Sequence, residues 1–277
     1  MALALERIEA EAWADHHVAA PPDAVRELGI SVHRLDGGVA LLASRGNLLF
    51  LNRVLALGCT STFSAGRLPE LLVLYDRAGV LRFVVQWSPC AQSVVDSDFR
   101  AAGFRDVSRQ AKLWRRPDPA ARADTTLEIR EVGPNEATLF GETVRLVYDG
   151  PRVLASMQSA IVGRPGWRHY LAFDGPRPVA GGALFVHERI AWCGFGATIP
   201  EARGRGAHSA LLAVRVRDAA AMRCELVVCE TAEETTDRPN PSYRNMRRAG
   251  FNLAYLRTNW LRDGSARSVE GGEEKGA

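Results

Sequence analysis

The segment Glu201–Leu212, EARGRGAHSALL, alternates two arginines with two glycines and then runs into an apolar helical pattern. A loop of this kind at the mouth of a helix suits a phosphate. The first backbone N–H groups of a helix have no internal partner, and the helix dipole adds partial positive charge there. Gly204 and Gly206 allow close backbone approach, and Arg203 and Arg205 supply charge-assisted hydrogen bonds. A P-loop would need a lysine after the last glycine, and none follows Gly206. A dinucleotide fingerprint would need a third glycine where Ser209 stands, after a parallel strand rather than an antiparallel one. An RNA-binding Arg-Gly element would repeat in low-complexity sequence, whereas this one occurs once between two regular elements.

Regular elements must hold such a loop. Before it, LEIREV reads as a strand, and NEATLFGETVRLVY and VLASMQSAIV read as helices. RHYLAF, VAGGALFV and IAWCGFGAT form an antiparallel meander with turns at Asp174-Gly175-Pro176 and His187-Glu188. After the loop come a helix over His208–Met222, the strand CELVVCET, the helix PSYRNMRRAGF and the strand LAYLRTNWL. Ala207, Leu211 and Val214 fall at i, i+4 and i+7, so one face of the His208–Met222 helix packs on the sheet. Gly181-Gly182 inside a strand marks a bulge or a close approach of backbone or ligand.

The chain before Pro117 opens with an amphipathic helix around Ala4–Trp13. Strands follow over Ile30–Arg34, Val39–Ser44 and Leu48–Leu57, then the helix LPELLVLYDRAG stopped at Gly79. VLRFVVQW is a buried strand, DSDFRAAGF a short helix and VSRQAKLWRR a last strand. His16 and His17 are adjacent, cannot share a helix face, and read as surface residues. The two halves echo each other in order: LALGCT with CGFGAT, RFVVQW with ELVVCE, FRAAGF with MRRAGF, each at a spacing of roughly 140 residues. A duplicated domain follows, with a first half over 1–118, a Pro/Ala-rich linker over 119–125, a second half over 126–263 and a disordered tail over 264–277.

Composition is that of an ordinary globular chain of 277 residues. The net charge of +3 is too small for a nucleic-acid partner, and the basic runs Arg109–Arg116 and Arg244–Arg248 read as solvated faces. The five cysteines form no Cys-x-x-Cys pair, which indicates neither a disulfide framework nor a metal site; Cys193, Cys224 and Cys229 read as reduced core residues. The start is acidic where a signal peptide would be basic, and no apolar run approaches the ~18 residues of a membrane span. A cytoplasmic protein with no membrane partner is expected.

The loop resembles the phosphate-binding motif of the GNAT superfamily of acyl-CoA-dependent N-acyltransferases, Arg/Gln-x-x-Gly-x-Gly/Ala. Here it reads Arg203-Gly204-Arg205-Gly206-Ala207-His208 after Pro200, with His208 in the last position. NPSYRNMRRAGF resembles the family's second signature, Asn-x-x-Ala/Ser-x-x-x-Tyr-x-x-x-Gly-Phe. Ser242, Gly250 and Phe251 match, Asn240 is one residue out of register, and Met246 holds the tyrosine position. The order of elements from Leu127 to Leu261 is also the family's, and the first half, whose TSTFSAGRLPELL lacks the Arg-x-x-Gly pattern, is similar to a degenerate copy. The resemblance implies an α/β (α+β) tandem GNAT fold, a mostly antiparallel sheet with flanking helices in two halves. It implies acetyl-CoA as co-substrate and a small-molecule or peptide amine as acceptor, with the chain a monomer (a pseudo-dimer of its halves) or a homodimer.

The same resemblance assigns roles. Ala197, Thr198 and Ile199 pair with the pantetheine arm and offer a backbone N–H to the oxyanion, beside a gap where two strands splay. Residues Arg203 to Ser209 hold the diphosphate. Glu230 ends an apolar strand beside that gap, so desolvation would raise its pKa toward that of a general base; a strand-end carboxylate bonded to Thr231 is the plainer reading. Tyr243, three residues before Met246, is a candidate acid or a core tyrosine. Asn245 bonds pantetheine or caps backbone, and Asn240 and Ser242 belong to the same cofactor-binding stretch. Tyr148 and Asp149 sit where acceptors enter, Asp149 as an amine attractor or a turn residue. A non-catalytic CoA-binding module is the alternative, favoured by His208 and Met246.

Overall fold

A computed structural model describes residues 1–46, 48–59, 63–91 and 94–264. The tail expectation for 265–277 therefore lies outside the described residues. The first half runs α1 (Ala2–Val18), α2 (Pro22–Leu28), β1 (Ile30–Leu35), β2 (Gly38–Ala43), β3 (Arg53–Leu55), α3 (Leu68–Arg77), β4 (Arg82–Trp87), α4 (Asp96–Ala101) and β5 (Phe104–Arg115). The second runs β6 (Glu128–Val132), α5 (Ala137–Tyr148), α6 (Arg152–Ala160), β7 (Trp167–Asp174), β8 (Arg177–His187), β9 (Ile190–Thr198), α7 (Ala207–Ala221), β10 (Leu226–Ala232), α8 (Pro241–Arg248) and β11 (Asn252–Asp263). The stretch Leu48–Leu57 is not one strand: a 3-10 turn over Leu49–Leu51 precedes the short β3.

All eleven strands form one sheet in the order β1-β2-β3-β4-β11-β5-β10-β9-β8-β7-β6. The order is nearly palindromic about the β11–β5 pair. β3–β4 and β9–β10 are the parallel contacts, in corresponding places, and the other pairs are antiparallel. Each half has given its last strand to the other. β11 lies against β4 of the first half, and β5 lies against β10 of the second. The linker thus divides the sequence into two halves but not the sheet into two.

One face of the sheet is covered by α1, α2, α5 and α6, whose Leu5, Ile8, Phe140 and Met157 share a core. The opposite face carries α3 and α4 over the first half and α7 and α8 over the second. Lying at the centre, α1 is buried nearly all round, His16 and His17 included at 1% exposure each. This reverses their reading as surface residues. Two adjacent positions can both be buried when a helix is enclosed on several sides. Helix α7 is likewise buried on more than the single face its spacing suggested.

Under α1, Glu6, Glu9, Lys112 and Arg257 are all fully buried. Arg257 donates to Glu9 at 2.5 and 2.7 Å and to Glu6 at 3.1 Å, and Lys112 Nζ donates to Glu9. Buried charges persist only when paired, and here two carboxylates meet two cations where β5 and β11 adjoin. Lys112 therefore does not belong to a solvated basic face, as the run Arg109–Arg116 suggested, although Arg109 within it is exposed.

Candidate active site

β9 and β10 pair in parallel only over Ile190–Trp192 and Leu226–Val228. Beyond Trp192 the strands diverge. A bulge helps to turn β9 away: the register with β8 shifts between Gly181 and Ala183, and Phe195 takes a φ of +51°. Ile199 N–H donates to Val179 O at 3.0 Å. Antiparallel amides alternate between edges, so the Thr198 N–H one residue earlier faces the open gap.

A cavity of about 510 Å³ occupies this divergence, within the range of small-ligand sites. Glu230 lines it from β10, Gly196 from β9, His208 from α7, and Ser242 and Met246 from α8. The Glu230 carboxylate accepts from Trp192 Nε1 at 2.8 Å and lies 3.7 Å from Lys112 Nζ. Burial, and then repulsion from Glu9, lift its pKa to about 7 against the pull of Lys112 and Arg257. Burial alone would raise Glu9 too, but Arg257 and Lys112 outweigh it and hold that carboxyl at about 2. Two carboxylates in one network are thus driven apart, one permanently charged and one poised near neutrality.

At the start of α7, Gly206 takes φ +82° as the N-cap, and no side chain caps the helix. The amides of Ala207, His208 and Ser209 have no partner among the described residues. Arg203 and Gly204 are exposed, and a Cβ built at Gly204 would meet nothing within 4 Å. These residues fit a diphosphate. Other parts of the motif do different work. Arg205 is bound bidentately by Asp174, and a Cβ at Gly206 would lie 2.3 Å from Asp124 O. Thr125 Oγ1 donates to Arg205 O at 2.8 Å. The linker is therefore folded against the loop, and Gly206 is required by that packing. His208 turns inward, close to Gly196, and burial beside Arg215 lowers its pKa to about 4, so it is a neutral imidazole and not a phosphate-binding cation.

Asn240 caps α8. Its Oδ1 accepts from Ser242 N and Tyr243 N, and its Nδ2 donates to Thr231 Oγ1 and Ala232 O. All its polar atoms are thus used in joining β10 to α8, which corrects its assignment to the cofactor. Asn245 accepts from Arg248 on the outer side of α8, in a depression it shares with Ser209. Tyr243 does not line the cavity; it packs at the edge of the apolar cluster around Met246 and Phe251. The phenol that reaches the cavity is Tyr148, whose hydroxyl donates to Gly196 O at 3.1 Å. Asp149 is a turn residue, closing α5 at φ +47°.

The sequence suggested that the first half could wall the acceptor cleft but did not single out the residues that do so. Trp13 and His16 from α1, Phe50 and Arg53 from around β3, and Gln110 from β5 all line it. A signal was present: Glu6 and Glu9 at i, i+3 between Leu5, Ile8 and Ala12 put paired charge on a face that should have been apolar. Cys59, which the internal echo aligns with Ala197, lies Sγ to Sγ 2.7 Å from Cys90 past the end of β4.

No protein-family model matches the chain, and no curated protein matches it. Solved structures do. A GCN5-related N-acetyltransferase from Kribbella flavida is 16% identical with a TM-score of 0.60, over 94% of this chain and 98% of that one. Another from Sphaerobacter thermophilus is 16% identical with a TM-score of 0.58, over 93% and 91%. A tandem GNAT protein from the clavulanic acid biosynthesis pathway is 14% identical with a TM-score of 0.61, over 95% and 94%. At these identities the likeness is one of fold, and it extends through both halves: the chain has the tandem GCN5-related N-acetyltransferase fold.

Proposed function

We propose that this protein transfers the acetyl group of acetyl-CoA to an amine acceptor in the cavity between β9 and β10. The observation that carries the reading is Glu230, a carboxylate with a pKa of about 7 at the divergence of the two strands. A free alkylamine is protonated at neutral pH. Glu230 takes that proton, and the neutral nitrogen attacks the thioester carbonyl carbon. The Thr198 N–H faces the gap to receive the charge that develops on the carbonyl oxygen. The C–S bond then breaks as Tyr148, standing at Gly196, protonates the departing sulfur, and the second proton that the nitrogen sheds on becoming an amide restores the phenol. The uncapped amides of α7 and the Arg203 guanidinium hold the diphosphate. Two specific features favour a second reading, a CoA-binding module without catalysis: Met246 stands in the tyrosine position, and His208 fills the inner side of the loop.

Acetyl-CoA titration and release of free thiol across an amine panel test both readings. Arg203→Glu should weaken binding on the order of tenfold without disturbing the fold, because the side chain is exposed. Glu230→Gln should lower turnover by about 100-fold or more and keep binding. Binding without turnover on any amine supports the module, and no binding at all overturns both.

A further inference from the structure

The cavity takes a charge from each half, and the two sit near enough to interact. Glu230 stands on β10, and Arg53 on β3. The Arg53 guanidinium lies 4.4 Å from the centroid of the Trp13 ring, and its Nε donates to Phe50 O at 2.6 Å. Among the described residues no carboxylate lies within ion-pair distance of it, and its terminal NH2 groups make no hydrogen bond. The nearby Glu9 is already held by Arg257 and Lys112. The other cavity arginines are more engaged than Arg53, each through Nε and one terminal NH2 group. Arg215 is spent on the carbonyls of Leu211, Ala183 and Gly194, and Arg145 on Glu142 and Gly150. A partly desolvated cation with free donors facing a cavity calls for an anion from the ligand.

Aromatic surface lines the cavity beside the two charges. Trp13 packs edge-on against Phe195 at 5.2 Å and against Trp192 at 6.3 Å, and Phe195 meets His16 at 5.0 Å. His16 adds no charge, since burial and then His17 keep its pKa well below the usual imidazole value. A cation with both terminal NH2 groups open, an ionisable carboxylate and an apolar wall complement a ligand with one carboxylate, one amine and an apolar body. A dianion such as a phosphate monoester fits less well, because Glu230 and Glu9 stand close by.

Resting on the acetyltransferase reading, we infer that the acceptor is an amino acid or a close relative with an apolar or aromatic side chain, its carboxylate held by Arg53 and its amine presented to Glu230. The degenerate half thereby supplies the specificity of the second half's reaction. Arg53 binds the acceptor and takes no part in proton transfer.

Calorimetric titration of the full chain with L-phenylalanine, L-tryptophan and L-leucine, each beside its carboxamide, tests this without needing turnover. Wild-type protein should bind at least one of the free acids ten times or more tighter than its amide. Arg53→Gln should erase that preference while leaving acetyl-CoA affinity as it was, and Arg53→Lys should restore part of it, a point charge replacing a bidentate fork. A preference that survives in Arg53→Gln, equal binding of acids and amides, or no binding of any probe would overturn the assignment. Loss of acetyl-CoA binding in the wild type would instead overturn the reading beneath it, and the acid-versus-amide comparison would still decide the role of Arg53.

Discussion

The indole of Trp192 reaches across the divergence of β9 and β10 to donate to Oε2 of Glu230 at 2.8 Å. Trp192 is the last paired residue of β9, opposite Val228, and Glu230 lies two residues further along β10. The bond therefore spans the first step of the gap. It fixes the carboxylate's orientation and engages one oxygen, while Oε1 has no partner among the described residues and is free to face an acceptor.

The rate should follow the ionisation of this group. With a pKa of about 7, Glu230 must lose its proton to act as a base, so kcat/KM rises with pH through about 7 and levels above it. Glu230→Gln should lower kcat by about 100- to 10,000-fold and remove that limb. A pH profile on a turned-over amine checks both. A rate that falls with pH across this range would assign the carboxyl a different role.

Glu9 should shift the same limb without touching substrate. Its negative charge is among the causes that raise Glu230, so Glu9→Gln should make Glu230 easier to ionise and move the limb to lower pH. The variant leaves Lys112 and Arg257 short of an anion, and breaking such a buried pairing costs about 3–5 kcal/mol. The profile is therefore measured well below the melting temperature. An unmoved limb with a lowered melting temperature would confine Glu9 to a structural role.

Much of the fold was legible because it rests on local periodicity and on repetition. The meander β7–β8–β9, the glycine stops and the ordered echoes between halves all lie in short windows of sequence. The exchange of β5 and β11 was not legible, since a strand's pattern records that its faces are buried and not which edge it joins. Glu230 could be located because the apolar run Leu226–Cys229 ends at it, although β10 continues to Ala232. Arg53, Trp13 and His16 could not, because they reach the site only through the packing of α1 across both halves. Asn240 and Arg205 lie within the two motif-like stretches, yet their polar atoms were claimed by Ser242, Tyr243 and Asp174, partners that only the fold reveals.

Tyr148→Phe and Tyr243→Phe separate the two candidate acids. Tyr148 lines the cavity, and Tyr243 does not. Removing the Tyr148 hydroxyl should slow the step that expels the thiolate, lowering kcat about tenfold or more, while Tyr243→Phe leaves kcat near the wild-type value. Steady-state kinetics with acetyl-CoA saturating decide it. The reverse pattern would return the acid to Tyr243.

Buried histidines should make the protein labile to acid. Burial lowers His17 and His208 to about 4 and His169 to about 3, and depresses His16 as well. The unfolded chain takes up these protons near pH 6.5, the folded chain only near 4 or below, so stability is lost as pH falls through that window. Glu230 acts oppositely, its raised pKa favouring the folded state as pH falls from about 7 toward 4.5, but one group opposes four. The melting temperature should drop between pH 6.5 and 4, and His208→Gln should blunt the drop. A flat profile would mean that these rings are not buried as neutral groups.

The exchanged strands make the halves interdependent. A fragment covering 126–264 would lack β5, and with it the partner of Val227, Val228 and Cys229, which are fully buried in the intact sheet. A fragment covering 1–118 would lack β11, whose Trp260 stacks on Phe99 at 4.9 Å in the first half's core. Each would expose an unpaired, apolar strand edge. Either fragment alone should aggregate or show no cooperative melt, and the two expressed together should form a 1:1 complex that regains acetyl-CoA binding. Fragment 126–264 surviving alone as a cooperatively melting monomer with full affinity would show that the second half completes its sheet without β5, and the first half's role would then reduce to its share of the cavity wall.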